Sequence, residues 1–73
     1  MKHQRIFDYP STTPGAIVRV NALQVTFMAL SFECGLWRVL LAVASNNLST
    51  AFALEQDARD FFDLWTARVE DAH

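Results

Sequence analysis

Apolar side chains alternate with polar or small ones along much of residues 25–43, and Cys34-Gly35 interrupts the run near its middle. A period of two is typical of a β-strand. Glycine suits the positive φ angles of a two-residue hairpin loop. A loop at Cys34-Gly35 places four pairs on one side of a hairpin: Phe32 with Trp37, Leu30 with Val39, Met28 with Leu41 and Thr26 with Val43. The pattern therefore predicts an antiparallel hairpin with one side that is almost wholly apolar.

A second turn is predicted at Asn46-Asn47, because asparagine tolerates positive φ and suits a type I′ turn. This turn would extend the same apolar side with three more pairs: Val43 with Thr50, Leu41 with Phe52 and Val39 with Leu54. The two turns are chosen independently and give one consistent face. They predict a three-stranded meander whose inner residues are Leu30, Phe32, Trp37, Val39, Leu41, Val43, Phe52 and Leu54.

Residues 1–15 form a polar segment with two prolines, which do not fit a regular β-ladder. A short edge strand is predicted within it from Ile6, Phe7 and Tyr9. Residues 16–20 predict a further strand that pairs with the segment after Ala22. A bulge or break is needed between the two, because the polar residues change side there. We therefore expect an N-terminal segment at 1–15 and a single α+β domain at 16–73.

The C-terminal part changes to the period of an α-helix. Its apolar residues recur at helical spacing and form one narrow stripe: Ala58, Phe61, Phe62, Trp65, Val69 and Ala72. Acidic residues take the remaining arc. An alternative is a longer helix that includes residues 49–54 and is capped by Ser49 or Thr50. The predicted fold class is α+β: a small antiparallel β-meander of three to four strands packed on one C-terminal α-helix.

Composition limits the kinds of protein this chain can be. Its 73 residues are 52% hydrophobic and 19% charged, which indicates one small folded domain rather than a disordered chain. The single cysteine, Cys34, cannot form an internal disulfide, and no Cys/His group has the spacing of zinc ligands. We therefore expect no metal and no other cofactor.

The sequence does not predict an enzyme. Nucleophilic catalysis needs a base held beside the nucleophile, and the only histidines, His3 and His73, lie near the two ends of the sequence. Gly15 and Gly35 stand alone, so no phosphate-binding glycine loop can be assembled. The basic residues are scattered, whereas nucleic-acid binding needs clustered Lys and Arg. We expect neither catalysis nor nucleic-acid binding.

The charges divide unevenly along the chain. Residues 1–54 carry four basic and two acidic side chains, for a net charge of +2, whereas residues 55–73 carry two basic and six acidic ones, for −4. An acidic surface steers a protein towards a basic partner. The predicted partner-binding residues on this acidic helix face are Asp57, Asp60, Asp63 and Asp71.

The second side of the predicted sheet is apolar but shallow, and the only helix already covers the first side. Either the N-terminal segment covers this side or another chain does. We expect a homodimer that buries it, and the predicted self-association residues are Phe27, Ala29, Leu40, Ala42, Ala51 and Ala53.

Residues 25–43 also have the length and hydrophobicity of a membrane-spanning helix, so a small membrane protein is the alternative. Glu33 and Arg38 near the middle of this stretch argue against insertion, since each ion costs about 2.5 to 3.5 kcal/mol there. Lys2 and Arg5 are followed by a polar stretch where a signal peptide is apolar. We expect a cytoplasmic protein without a signal peptide.

In size and layout, a short acidic chain with a β-meander followed by one helix resembles phage-encoded inhibitors of host machinery, including anti-CRISPR proteins. The resemblance implies inhibition by protein binding. Together with the two surfaces above, it predicts a small non-enzymatic protein-binding module, an inhibitor or an adaptor, whose partner has a basic surface.

Overall fold

The computed structural model describes residues 5–10, 14–44 and 46–73. Two antiparallel sheets and a C-terminal helix make an α+β fold, which confirms the predicted fold class. The elements in chain order are β1 (Ile6–Tyr9), β2 (Val18–Asn21), a 3₁₀ turn (Ala22–Gln24), β3 (Val25–Glu33), β4 (Leu36–Val43), β5 (Asn46–Phe52) and α1 (Glu55–Ala72). Strands β3, β4 and β5 form the meander, and β1 and β2 form a separate hairpin.

The first predicted hairpin is confirmed over most of its length. Cys34 and Gly35 have φ angles of 52° and 79°, as a type I′ turn requires. The predicted pairs of Phe32 with Trp37, Leu30 with Val39 and Met28 with Leu41 all form. The predicted pair of Thr26 with Val43 is wrong, because a β-bulge shifts the register and places Val25 opposite Val43. The bulge buries Val25 and leaves Thr26 exposed, with its hydroxyl donating to the Ala42 carbonyl at 3.3 Å.

The predicted turn at Asn46-Asn47 is wrong. Val43 pairs with Asn46, so the turn lies between these two residues, and Ala44 within it has a φ of 53°. The observed register pairs Leu41 with Leu48, Val39 with Thr50 and Trp37 with Phe52. The observed register differs from the predicted one by an even number of residues, so each side chain stays on the same face of the sheet. The alternation of apolar and polar residues therefore cannot distinguish the two registers.

Two predicted inner residues are not buried. Leu54 lies beyond the end of β5 and is 63% exposed, and Phe32 near the tip of the first hairpin is 57% exposed. Leu54 is therefore not part of the sheet, and Phe32 lies two residues before Cys34 of the turn, where its ring packs only partly covered on Trp37 with centroids 4.8 Å apart. The sheet residues in the core or packed against it are Val25, Met28, Leu30, Trp37, Val39, Leu41, Val43, Leu48 and Phe52.

The N-terminal edge strand is confirmed, but the predicted partner of the next strand is wrong. Strand β2 pairs with β1 and not with the segment after Ala22. An ion pair of 3.2 Å between Asp8 and Arg19 lies across this hairpin. The predicted break after β2 is the 3₁₀ turn, at which the Asn21 side chain accepts a hydrogen bond from the Leu23 amide at 3.0 Å. This turn leads the chain from the small hairpin into β3.

The core lies between the meander, α1 and the β1–β2 hairpin. Trp65 of α1 is fully buried, with ring centroids 5.7 Å from Phe7, 5.9 Å from Tyr9 and 6.5 Å from Phe61. Tyr9 of the polar N-terminal segment is therefore a core residue that packs on the helix side of the sheet. We call that side the inner face and the opposite side the outer face.

The helix stripe is confirmed, since Ala58, Trp65 and Ala72 are buried and the other predicted members are half-buried. The alternative of a longer helix that includes residues 49–54 is wrong, because residues up to Phe52 belong to β5. The alternative of a spanning helix at 25–43 is also wrong, since these residues form β3 and β4. Within the described part of the chain, no helix is both long and apolar enough to cross a membrane.

We expect the Trp65→Ala variant to be largely unfolded. Truncating a buried tryptophan costs about 3 to 5 kcal/mol. That loss is comparable with the whole stability that a domain of this size derives from its core. Chemical denaturation followed by circular dichroism measures it. The neighbouring Leu64→Ala variant is the control, because Leu64 points away from the core and its loss should change stability by no more than about 1 kcal/mol. Equal denaturation midpoints for the two variants would contradict the packing described above.

We expect Leu54→Asp to stabilise the protein. Leu54 is the N-cap of α1, its backbone is extended (φ −108°, ψ 137°), and no side chain caps the first turn. An aspartate there can accept a hydrogen bond from a free amide of that turn, which adds about 1 kcal/mol to the free energy of unfolding. Denaturation should show this gain for Leu54→Asp and not for Leu54→Ala, which lacks the acceptor. Equal stability of both variants would refute the capping argument.

Candidate protein-binding surfaces

The acidic helix face consists of Asp57, Asp60, Asp63 and Asp71. Helical periodicity of about 100° per residue places Asp60, Asp63 and Asp71 away from the buried stripe and Asp57 beside its border. All four side chains are exposed, as predicted. Burial of the stripe therefore sets the direction in which these acids point.

The two arginines of α1 border this face, since Arg59 lies one helical turn before Asp63 and Arg68 one turn before Asp71, but each contacts another group. The Arg59 Nε donates to Glu55 Oε2 at 2.6 Å. The Arg68 guanidinium lies 4.1 Å from the ring centroid of Phe7 and 4.9 Å from that of Trp65, a cation–π geometry. Burial lowers the pKa of Arg68, but an arginine remains charged. Both positive charges of the helix therefore have other partners.

Three of these carboxylates form no ion pair with another described residue. Asp60 accepts a hydrogen bond from the neutral Gln56 side chain at 2.8 Å, which leaves its negative charge in place. Neither Asp57 nor Asp63 forms an ion pair within the described part of the chain. Asp57, Asp60 and Asp63 therefore give this side of the helix a negative charge that no described cation pairs with.

Leu64 is a surface residue that the sequence argument missed. It is 47% exposed and lies on the acidic side, one helical turn after Asp60 and two turns after Asp57. An apolar residue out of phase with the buried stripe was the signal that could have identified it. The surface thus combines carboxylates with an aliphatic side chain at its centre.

The outer face of the sheet brings five of the six predicted self-association residues together. Phe27 pairs with Ala42, and Ala29 pairs with Leu40 two residues further along the strands. Ala51 lies opposite Arg38 on the same face. Ala53 lies in the bend after β5, outside the sheet, because the strand ends at Phe52. Phe27 is 56% exposed, and the β1–β2 hairpin packs on the inner face.

The side chains considered for catalysis lie at a turn and next to the helix end, as far as the structure describes them. Cys34 is exposed at the first hairpin turn. His3 lies outside the described residues, and His73 is exposed next to the end of α1. No group of three or more His, Cys, Asp or Glu residues that could hold a metal ion occurs in the part of the chain that the structure describes.

The chain matches no protein-family model, and neither the curated proteins nor the solved structures include a significant match to it. Its functional assignment therefore depends on the chemistry of its own surfaces.

A pH dependence of stability follows from the buried Tyr9. Burial raises the pKa of its phenol above the ordinary value of about 10, and a hydrogen bond from the Thr50 hydroxyl at 2.8 Å opposes this in part. Folding therefore favours the neutral phenol. This stabilisation is present below the unfolded pKa and is lost as the pH rises through the folded pKa.

We expect the free energy of unfolding to fall above about pH 10 and to fall less in Tyr9→Phe, which has no phenol to ionise. At neutral pH, this variant should lose about 0.5 to 1.5 kcal/mol with the hydrogen bond. Denaturation of both proteins between pH 7 and 11 measures this difference in the free energy of unfolding. The other titrating groups are the same in both proteins, so their contributions cancel. Parallel curves for the two proteins would show that Tyr9 does not ionise differently in the folded state.

Proposed function

We propose that this protein is a small non-enzymatic protein-binding module that acts in the cytoplasm as an inhibitor or adaptor. The observation that supports this best is the acidic helix face, where Asp57, Asp60 and Asp63 form no ion pair with another described residue and the exposed Leu64 lies on the same side of α1. A partner with a basic surface and a small apolar pocket matches this chemistry.

The two components of the surface act at different stages of binding. Carboxylates accelerate the encounter with a basic partner, and salt screens this effect. An aliphatic side chain that enters a pocket slows dissociation, because its apolar area is removed from water only in the complex. The proposed mechanism is therefore electrostatic steering followed by anchoring at Leu64.

Neutralising the acidic helix face is the first test. A partner is obtained by affinity capture and accepted when cross-links join it to α1. We expect the double variant Asp60→Asn/Asp63→Asn to bind it about threefold to thirtyfold more weakly at low salt, with a flatter salt dependence. Folding stability should change by no more than about 0.5 kcal/mol, since both residues are exposed.

The control variant removes the same number of charges elsewhere. Asp8→Asn/Glu33→Gln neutralises two exposed carboxylates on β1 and β3. It should bind almost as the natural sequence does. If the two double variants bind equally well at both salt concentrations, the acidic helix face does not take part in binding, and the sheet is the next surface to test.

The Leu64→Ala variant separates anchoring from steering. We expect faster dissociation with little change in the association rate, and the loss of affinity should be similar at low and physiological salt. Surface plasmon resonance or stopped-flow measurements resolve the two rates. An unchanged dissociation rate would exclude Leu64 from the contact.

For the outer face, we propose a contact with a second copy of the chain, supported by the exposed Phe27 and its alanine-rich neighbours. A two-fold axis would bury the same patch on both copies. Ala42→Asp or Ala51→Asp should weaken such a contact and leave the fold intact, as sedimentation at micromolar concentration can show. If both variants remain associated to the same extent, the contact does not involve this face.

A further inference from the structure

Strand β5 is an edge of the three-stranded sheet. The strand order is β3-β4-β5, so β5 has β4 on one side, and no described strand is paired with its other side. The β1–β2 hairpin forms a separate sheet and contacts β5 through side chains, as the hydrogen bond from Thr50 to Tyr9 shows. A row of β5 backbone groups therefore faces away from the sheet.

The register identifies these groups. A two-residue turn closes on a hydrogen-bonded pair, here Glu33 and Leu36, and such pairs then alternate along the ladder. In β4, the even-numbered residues from Leu36 to Ala42 consequently bond to β3, and the odd-numbered ones from Trp37 to Val43 bond to β5. The β5 residues left with outward amide and carbonyl groups are Asn47, Ser49 and Ala51.

Nothing in β5 protects this edge against pairing. Natural edge strands are guarded by charged residues, proline or bulges. Residues Asn46–Phe52 contain no charge, proline or glycine, and their pairing with β4 has no register shift. The other edge differs, since β3 carries a bulge between Val25 and Phe27 and ends at Glu33. The β1–β2 hairpin is guarded by the charges of Asp8 and Arg19.

We propose that a second copy of this chain pairs with β5 through antiparallel β5–β5 contact. An antiparallel edge is complementary to itself, because a two-fold axis brings each amide opposite a carbonyl. A two-fold axis at Ser49 pairs Ser49 with Ser49 of the second copy, and it pairs Asn47 of each copy with Ala51 of the other. These are the three residues whose backbone amide and carbonyl groups point away from β4. The contact forms about six inter-chain hydrogen bonds, two for each of the three facing pairs.

The side chains permit this approach. Asn47, Ser49 and Ala51 are small or short, and all three are exposed. Because β5 is uncharged, no like charges meet across the two-fold axis. The resulting six-stranded sheet carries both helices on one side and both outer faces on the other. This contact does not rest on the proposed function. It uses the outward backbone groups of β5 and not the acidic helix face, and of the outer-face residues it includes only Ala51.

The variant Ser49→Pro tests the proposal. Proline removes the Ser49 amide, which points away from β4, so the internal ladder keeps its hydrogen bonds. Sedimentation should show dimers of the natural sequence and at least about a tenfold weaker dimer for Ser49→Pro, because both copies lose a bond at the axis. The matched control Ser49→Ala retains the amide and should dimerise normally. Ala42→Asp alters the outer face alone and should leave the β5 contact unchanged.

Backbone amide exchange provides a measurement without any substitution. The amides of Asn47, Ser49 and Ala51 should become protected as the concentration of the natural protein increases. A monomer at all concentrations, or equal dimerisation of Ser49→Pro and Ser49→Ala, overturns the proposal. Protection of these amides only when another protein is added also overturns it, since a foreign strand would then be the occupant. Loss of dimer in Ala42→Asp with an intact dimer in Ser49→Pro assigns association to the outer face instead.

Discussion

The buried Trp65 side chain lies where the helix, the N-terminal hairpin and the meander meet. Its ring contacts Phe7 and Tyr9 from β1 and Phe61 from α1, so one side chain joins the helix to the N-terminal hairpin. A small domain without disulfides derives its stability from few such contacts. Its indole N–H is buried without a hydrogen-bond partner among the described residues, a polar cost that the surrounding apolar packing has to offset.

The same burial determines the surface chemistry. Because the stripe around Trp65 faces the sheet, helical geometry turns the carboxylates of α1 outwards. Arg68 packs on the rings of Phe7 and Trp65, and Arg59 pairs with Glu55, so these contacts do not involve Asp57 or Asp63. Burial of the stripe thus leaves acidic side chains on the exposed side of α1, and the proposed binding function rests on that surface.

Strand β4 has a comparable role in the sheet. As the central strand, it bonds to β3 with one set of residues and to β5 with the alternate set. The backbone groups of β4 are therefore hydrogen-bonded on both sides, whereas β3 and β5 each have one side that no other described strand pairs with. The bulge and Glu33 guard the β3 edge, whereas the uncharged β5 edge has no such protection. The outer face and the β5 edge share Ala51, but Ala42→Asp changes only the outer face and Ser49→Pro removes a backbone amide only at the β5 edge.

The first hairpin and the helix follow from local patterns in the sequence. Cys34-Gly35 sets a local turn, and the spacing of Ala58, Trp65 and Ala72 repeats within one continuous element, so short-range rules suffice. The same spacing turns Asp60, Asp63 and Asp71 away from the stripe. The three-dimensional fold was needed for the other features: the register of β5, the pairing of β2 with β1, the bulge at Val25 and the exposure of Leu54. A shift of register by an even number of residues leaves the alternation of inward and outward side chains unchanged. The pattern of one strand also does not specify which strand it pairs with. Those choices depend on which long-range contacts bury Tyr9, Val25 and Trp65 together.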